Sequence, residues 1–257
     1  LEDHDRASRL ALVGELRSAL DAGELDVFYQ PIVELTTDRI VGMEALARWR
    51  RPAGDVAPSV FVPLAEQSGL IRELTPLVLR TALAEARRWA ADGLDLRVSV
   101  NLSARVLADP GFGEAVRHAL LAAGVPPTRL ILEITESALA DPTPQLLAAL
   151  HELRASGVSI ALDDFGAGCS SLATLAELPV DVLKIDRSFL ARLPAPAAMG
   201  MVRAIIEMAG HLDIETVAEG VEGEAAATLL RELGCGFAQG YHFGRPADRN
   251  DLDSAPH

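Results

Sequence analysis

The chain has 257 residues, 49% of them apolar and 23% charged, enough for one large barrel or two small domains, which excludes a disulfide-stapled miniprotein and a disordered chain. Its 23 basic against 37 acidic side chains leave a formal charge of -14. A binder of DNA or RNA duplexes needs a basic face, so none is expected, and an anionic ligand must be held locally by a few arginines or by metal ions.

Cys169 and Cys235 are the only cysteines, which suggests neither a zinc site nor a disulfide framework and fits a reducing, cytoplasmic compartment. No stretch approaches the roughly 20 continuous apolar residues of a membrane span. The opening residues carry neither an initiator Met nor a signal-peptide core and read as a cut inside a longer protein, whose other segments could anchor it to a membrane. Residues 1–23, with Leu10, Leu12, Val13, Leu16 and Leu20, read as an N-terminal connector or capping helix. Residues 24–250 read as the main domain and 251–257 as a C-terminal tail.

In chain order, Asp26 to Val33 reads as a strand and Arg39 to Trp49 as a second, joined by a turn at Thr36-Thr37-Asp38. Val60 to Ser68 and Pro76 to Ala91 show helical spacing, with Pro76 suited to a first turn and Asp92-Gly93 as a stop. Strand Leu96 to Asn101 precedes a helix over Gly113 to Ala123, and strand Leu130 to Thr135 precedes one over Thr143 to Ser156. Strand Val158 to Asp163 leads to a short helix near Ser170 to Leu178, and strand Val182 to Asp186 to a helix over Ala197 to Leu212. Strand Ile214 to Ala218, helix Glu224 to Leu233 and strand Gly236 to Gln239 complete the series. This alternation predicts an α/β fold, a modified (β/α)8 TIM barrel with one antiparallel strand near the start. A doubly wound open sheet would need a glycine-rich phosphate turn after its first strand, and the sequence has none there.

Polar residues collect where the strands end. Asn101 closes one strand, Glu133 and Glu136 lie in and after another, Asp163 and Asp164 close a third. Lys184 and Asp186 alternate with Leu183 and Ile185, while Glu219 and Gln239 close the last two strands. In a parallel barrel these ends share one mouth. A carboxylate after a strand is commonly only a helix cap or turn residue, and Asp164 or Asn101 could be that. Glu133 is different, because an apolar run surrounds it and a buried carboxylate needs a partner. Lys184 is the only lysine of the chain; it reads either as a structural ion pair, with Asp186 or a neighbouring acid, or as an ammonium that stabilises reacting charge. Such a mouth suits hard divalent cations, Mg²⁺ or Mn²⁺. Two chemistries fit: two-metal hydrolysis of a phosphate ester, and enolisation with a lysine base.

The motifs Tyr29-Gln30-Pro31-Ile32-Val33 and Gly42-Met43-Glu44-Ala45-Leu46-Ala47-Arg48-Trp49 resemble the EAL domain family, as do Phe61 to Glu66, Val100 to Ser103, Leu132 to Glu136, Asp163 to Gly166, Leu183 to Asp186, Ala218 to Glu222 and Gln239 to Tyr241. The resemblance implies a modified (β/α)8 barrel that hydrolyses cyclic di-GMP to linear pGpG in bacterial second-messenger signalling. It implies that Glu44, Asn101, Glu133 and Asp163 hold one Mg²⁺ or Mn²⁺, with Asp163 bridging to a second beside Asp164 and Glu219. Lys184 would hold the attacking water or the phosphate, and Glu219 would be the general base. Gln30, Arg48, Glu222 and Gln239 would contact substrate; Glu136 would brace the loop after Asp164, and Asp186 would support the site. The resemblance also implies a homodimer, through the helix after Ser170 and the stretch from about Pro194 to Met208, with Met199, Met201, Val202, Ile205 and Ile206 available for it, although a barrel helix must also bury one stripe against the sheet. An upstream sensory or GGDEF-type domain is a further expectation. Ca²⁺, with its looser geometry, is expected to inhibit. The loop departs from the family pattern at Ala167 and Cys169. The alternative function is a catalytically silent cyclic di-GMP receptor, although the sequence loses none of the implied metal ligands.

Overall fold

The computed structural model of the chain describes residues 2–139, 142–166 and 172–249. Ala167, Cys169 and the tail at 251–257 lie outside the described residues. Eight strands close into one barrel in sequence order: β1 (Leu25–Glu34), β2 (Arg39–Trp49), β3 (Arg97–Asn101), β4 (Leu130–Thr135), β5 (Ser159–Phe165), β6 (Val182–Ile185), β7 (Glu215–Ala218) and β8 (Phe237–Gln239). The helices are α1 (Glu2–Ala22), α2 (Pro58–Ser68), α3 (Ile71–Ala91), α4 (Ala104–Leu107), α5 (Phe112–Ala123), α6 (Pro144–Ala155), α7 (Leu172–Glu177), α8 (Arg187–Leu190), α9 (Pro196–His211) and α10 (Glu224–Leu233).

Strands β2 to β8 run parallel, and β1 is antiparallel to both β2 and β8. The hairpin accounts for the first of those pairs; ring closure adds the second. The main core lies between the strands and the helices, where Tyr29 meets Trp89 and Trp49 meets Phe61 edge to face. Helix α1 packs beside α2 and buries Leu16 and Ala19.

Inside the barrel, Ile32, Ile131, Ala161, Val182 and Val217 form a separate small apolar floor. Residues two apart on a strand share a face, so Glu133, Asp163, Lys184 and Glu219 each stand directly above a floor residue. On β1 the direction is reversed, and Gln30 precedes its floor residue, Ile32. On β2 the floor position is Gly42, where a Cβ would lie 3.2 Å from the Arg97 carbonyl oxygen. Below the floor, Arg97 pairs with Glu215 at 2.8 Å and its guanidinium lies 5.4 Å from the Phe237 ring centre. Polar side chains are thus gathered at the opposite, C-terminal mouth.

Two elements differ from the sequence expectation. Helix α3 begins at Ile71, so Pro76 sits inside it rather than in its first turn. Gly69, at φ 84°, ends α2, and burial of Leu70, Ile71 and Leu74 starts the next helix at once. Strand β5 runs past Asp163 to Phe165, with a register shift between Leu162 and Phe165 and Asp164 at φ 56°. A bulge of this kind re-aims side chains, and here it lets two successive aspartates reach the mouth.

Candidate active site

Lys184 organises the mouth. It is 1% exposed, and its Nζ lies 2.6 Å from Glu133 Oε2, 2.7 Å from Glu219 Oε1, 3.2 Å from Asp163 Oδ1 and 3.5 Å from Glu44 Oε2. Burial works against its charge, but the surrounding carboxylates hold its pKa well above the ordinary lysine value. Lys184 makes no pair with Asp186; that carboxylate instead accepts from Ser188 N at 3.0 Å and caps α8.

The acids differ among themselves. Burial pushes Glu133 well above the usual carboxylate range, and the neighbouring Glu44 adds to it. Burial acts on Glu44 in the same direction, yet Lys184 and amide donors from Gln239 and Asn101 hold it below. Gln239 Nε2 lies 2.6 Å from Glu44 Oε2, and Asn101 Nδ2 lies 2.8 Å from Glu44 Oε1. Asn101 therefore belongs to the cluster, and Ser103 is the residue that caps α4. Burial raises Glu219 to about 7 despite the opposing Lys184. Asp164 is also raised, by burial and then by Asp163.

Carboxylate oxygens of Asp163, Asp164 and Glu219 lie within 4.8 Å of one another. Beside them stand Glu44, Glu133 and the Asn101 amide, so the mouth offers hard oxygen donors in excess of its one ammonium. That donor set fits a hard divalent cation. Glu136, buried, accepts the Gly166 N–H at 2.8 Å and braces the start of the loop after β5. Gly166 itself admits no side chain, since a Cβ would meet the Phe189 ring at 2.3 Å.

Gln30 and Gln239 are joined at 3.1 Å across the β1–β8 closure, and Gln30 Nε2 also donates to Gly244 O at 3.1 Å. Among the described residues, Gln239 Oε1 is buried without a protein partner. Arg48 is half-buried, anchored by Ala47 O at 2.9 Å and 5.5 Å from the Phe28 ring centre. Glu222 is exposed in the turn after β7. A cavity of about 660 Å³ opens between the ends of β2 to β4 and helices α2 and α3. It reaches Glu44, Asn101, Glu133 and Arg48, and its apolar wall includes Val62, Pro63, Leu74 and Val78.

Val62 and Pro63 lie in the motif Phe61 to Glu66, but none of these wall residues was given a binding role from the sequence. A signal exists in α2, where Phe61, Leu64 and Ala65 face the core while Val62 and Pro63 place apolar surface on another side. The helix α9 expectation needs correction: Val202, Ile205 and Ile206 are buried in the core of their own chain. A barrel helix must spend one stripe on the sheet, and these residues are that stripe. Met201 is 53% exposed.

The sequence model described as the EAL domain matches residues 13–246. The chain is 44% identical over 240 residues to the cyclic di-GMP phosphodiesterase NbdA of Pseudomonas aeruginosa, covering 92% of this chain and 31% of that protein. It is 41% identical over 247 residues to the bifunctional diguanylate cyclase/cyclic di-GMP phosphodiesterase MucR of the same organism, covering 95% of this chain and 36% of that one. The chain thus spans about a third of the length of these relatives. The solved structure of PaMucR phosphodiesterase in complex with c-di-GMP superposes with a TM-score of 0.89 at 41% identity, covering 94% of this chain and 99% of that one. Among the described residues, no helix is long and apolar enough to cross a membrane.

Proposed function

The chain belongs to the EAL domain family, and we propose that it hydrolyses cyclic di-GMP to linear pGpG. The observation that supports this reading is the mouth itself: Glu44, Glu133, Asp163 and Glu219 surround Lys184, Asn101 donates to Glu44, and Asp164 lies beside Asp163 and Glu219. Glu44, Asn101, Glu133 and Asp163 would hold one Mg²⁺ or Mn²⁺, and Asp163, Asp164 and Glu219 a second. Such ions, when bound, supply a hydroxide-like water near neutral pH and stabilise the reacting phosphate.

The side chains divide the remaining work. Lys184 holds the reacting phosphate and its water. Glu219, 2.7 Å from Lys184 Nζ at the mouth, accepts the water's proton. The water oxygen forms a bond to phosphorus as the bond to the ribose O3′ breaks, and the departing O3′ takes up a proton from solvent water, to which Glu219 returns the one it accepted. Arg48 meets the other phosphate, and Gln30, Gln239 and Glu222 contact the nucleotide.

The deciding experiment is turnover of cyclic di-GMP with Mg²⁺ or Mn²⁺. Hydrolysis to pGpG, abolished by chelation and inhibited by Ca²⁺, supports the proposal. Tight binding without pGpG would instead support a receptor. The proposal extends to a homodimer in which the outward-facing Met201 takes part; sedimentation as a monomer at high micromolar concentration would exclude it. The greater length of the relatives supports a further sensory or GGDEF-type domain in the whole protein.

A further inference from the structure

Asp163 and Asp164 stand at the end of β5 and Glu219 just after β7, with carboxylate oxygens within 4.8 Å of one another. Strand β6 runs between the two, where Phe165 pairs with Ile185 and Ile185 with Ala218. It ends at Ile185, and the single turn α8 begins at Arg187. Asp186 caps that turn through Ser188 N at 3.0 Å, and Leu190 buries its far end in the core. The turn meets a glycine on each side. Toward β5, a Cβ on Gly166 would lie 2.3 Å from Phe189 Cε2 and 2.5 Å from Cζ. Toward β7, a Cβ on Gly220 would lie 2.6 Å from Arg187 Cβ. Both glycines have positive φ, 95° and 70°, so bare backbone is brought against α8 where a side chain would collide. Backbone bonds close the same junction: Asp186 N donates to Phe165 O at 3.4 Å, and Glu219 N donates to Ile185 O at 3.1 Å.

Gly166 is two residues past Asp164, and Gly220 is one past Glu219. Groups packed this closely transmit displacement rather than absorb it. We propose that α8 is a spacer, in which Phe189 and the Cβ of Arg187 are positioning residues that set the separation of Asp163 and Asp164 from Glu219. Each acts through its glycine. The inference rests on the reading of these acids as part of the metal site of a phosphodiesterase. A small divalent ion demands oxygens at short and well-defined distances, so a loosened spacer costs metal affinity first and turnover with it.

The test titrates the metal-free parent, Phe189→Ala, Phe189→Leu, Arg187→Ala and Arg187→Gly with Mn²⁺ by calorimetry, and measures kcat and KM for cyclic di-GMP on the same proteins. Phe189→Ala should weaken Mn²⁺ binding by roughly 10- to 100-fold, the scale for removing an outer support of a metal site. Its kcat should fall by a similar factor while KM stays within about threefold, since the spacer acts on the reacting centre and not on the substrate's remote contacts. Phe189→Leu keeps apolar bulk against Gly166 and should recover part of both losses. Arg187→Ala retains the Cβ and should bind Mn²⁺ like the parent, whereas Arg187→Gly removes it and should bind less tightly; loss of the guanidinium charge alone would affect the two equally. Melting in chelator identifies the folded variants, and if Phe189→Ala does not fold, Phe189→Leu and the two Arg187 variants decide by the same titration. Folded variants at both positions that bind Mn²⁺ and turn over within about twofold of the parent would overturn the spacer and leave the phosphodiesterase reading intact. A parent that neither binds Mn²⁺ nor hydrolyses cyclic di-GMP overturns the phosphodiesterase reading, and the spacer falls with it.

Discussion

Replacing Lys184 by Met separates the ion pairing seen in the structure from the catalytic role proposed for the same ammonium. Methionine keeps most of the side-chain length above the floor but removes the charge shared by Glu44, Glu133, Asp163 and Glu219 at 2.6 to 3.5 Å. Removing one partner of a buried ion pair costs about 3–5 kcal/mol. Water can do little to relieve this, because the void beneath the cluster is about 10 Å³, at the lower limit for a single molecule. With each kcal/mol worth about 2–4 °C in a chain of this size, the metal-free variant should melt roughly 10 °C below the parent. Divalent ions repay that loss by neutralising the same oxygens, so Mn²⁺ should raise the variant's melting temperature more than the parent's. Turnover should not recover with it. Loss of one preorganised electrostatic contact costs about 10² to 10³ in rate, and single-turnover hydrolysis of cyclic di-GMP by the Mn²⁺-loaded variant should fall by that factor. A folded, metal-loaded Lys184→Met protein that cleaves at the parent rate would refute the catalytic role, and an unchanged metal-free melting temperature would refute the electrostatic one.

Further outcomes follow from the acids. Asp163→Asn should weaken Mn²⁺ binding and collapse hydrolysis together, whereas Asp164→Asn should spare the ion proposed to sit at Glu44, Asn101 and Glu133; titration calorimetry on both variants checks this. In chelator, Glu219 should make the folded protein less stable as pH rises. Its carboxyl, raised from 4.5 to about 7 by burial, keeps a proton that the unfolded chain has released, so its stabilisation is complete below about pH 4.5 and is lost as pH passes 7. Relative to Glu219→Gln, the parent should lose roughly 3 kcal/mol across that window. Exposed carboxylates held low by arginines, such as Asp109 and Glu224, act in the opposite sense and cancel in the difference. Denaturant titrations at pH 5 and pH 8 in both proteins measure it, and a parallel pH dependence would contradict the assignment.

What the sequence determined by itself was local. Apolar runs of four to seven residues alternating with helical spacing specify strands and helices, and Glu133 or Lys184 inside such runs betrays a polar interior, because neither can be buried alone. The barrel and its polar mouth were legible on those grounds, sharpened by the ordered EAL motifs. Tertiary structure decided everything that depends on residues far apart meeting. Closure set β8 against β1, which joined Gln239 to both Gln30 and Glu44. A register shift, which no composition signals, turned Asp164 toward Asp163 and Glu219. Asp186 and Lys184 share a strand pattern, yet the strand ends between them and Asp186 is drawn away to cap α8. On α9 the apolar stripe could equally have served a partner or the sheet; packing consumed Val202, Ile205 and Ile206 and left Met201 outside. Periodicity says which residues share a face, but only the closed barrel says what that face meets.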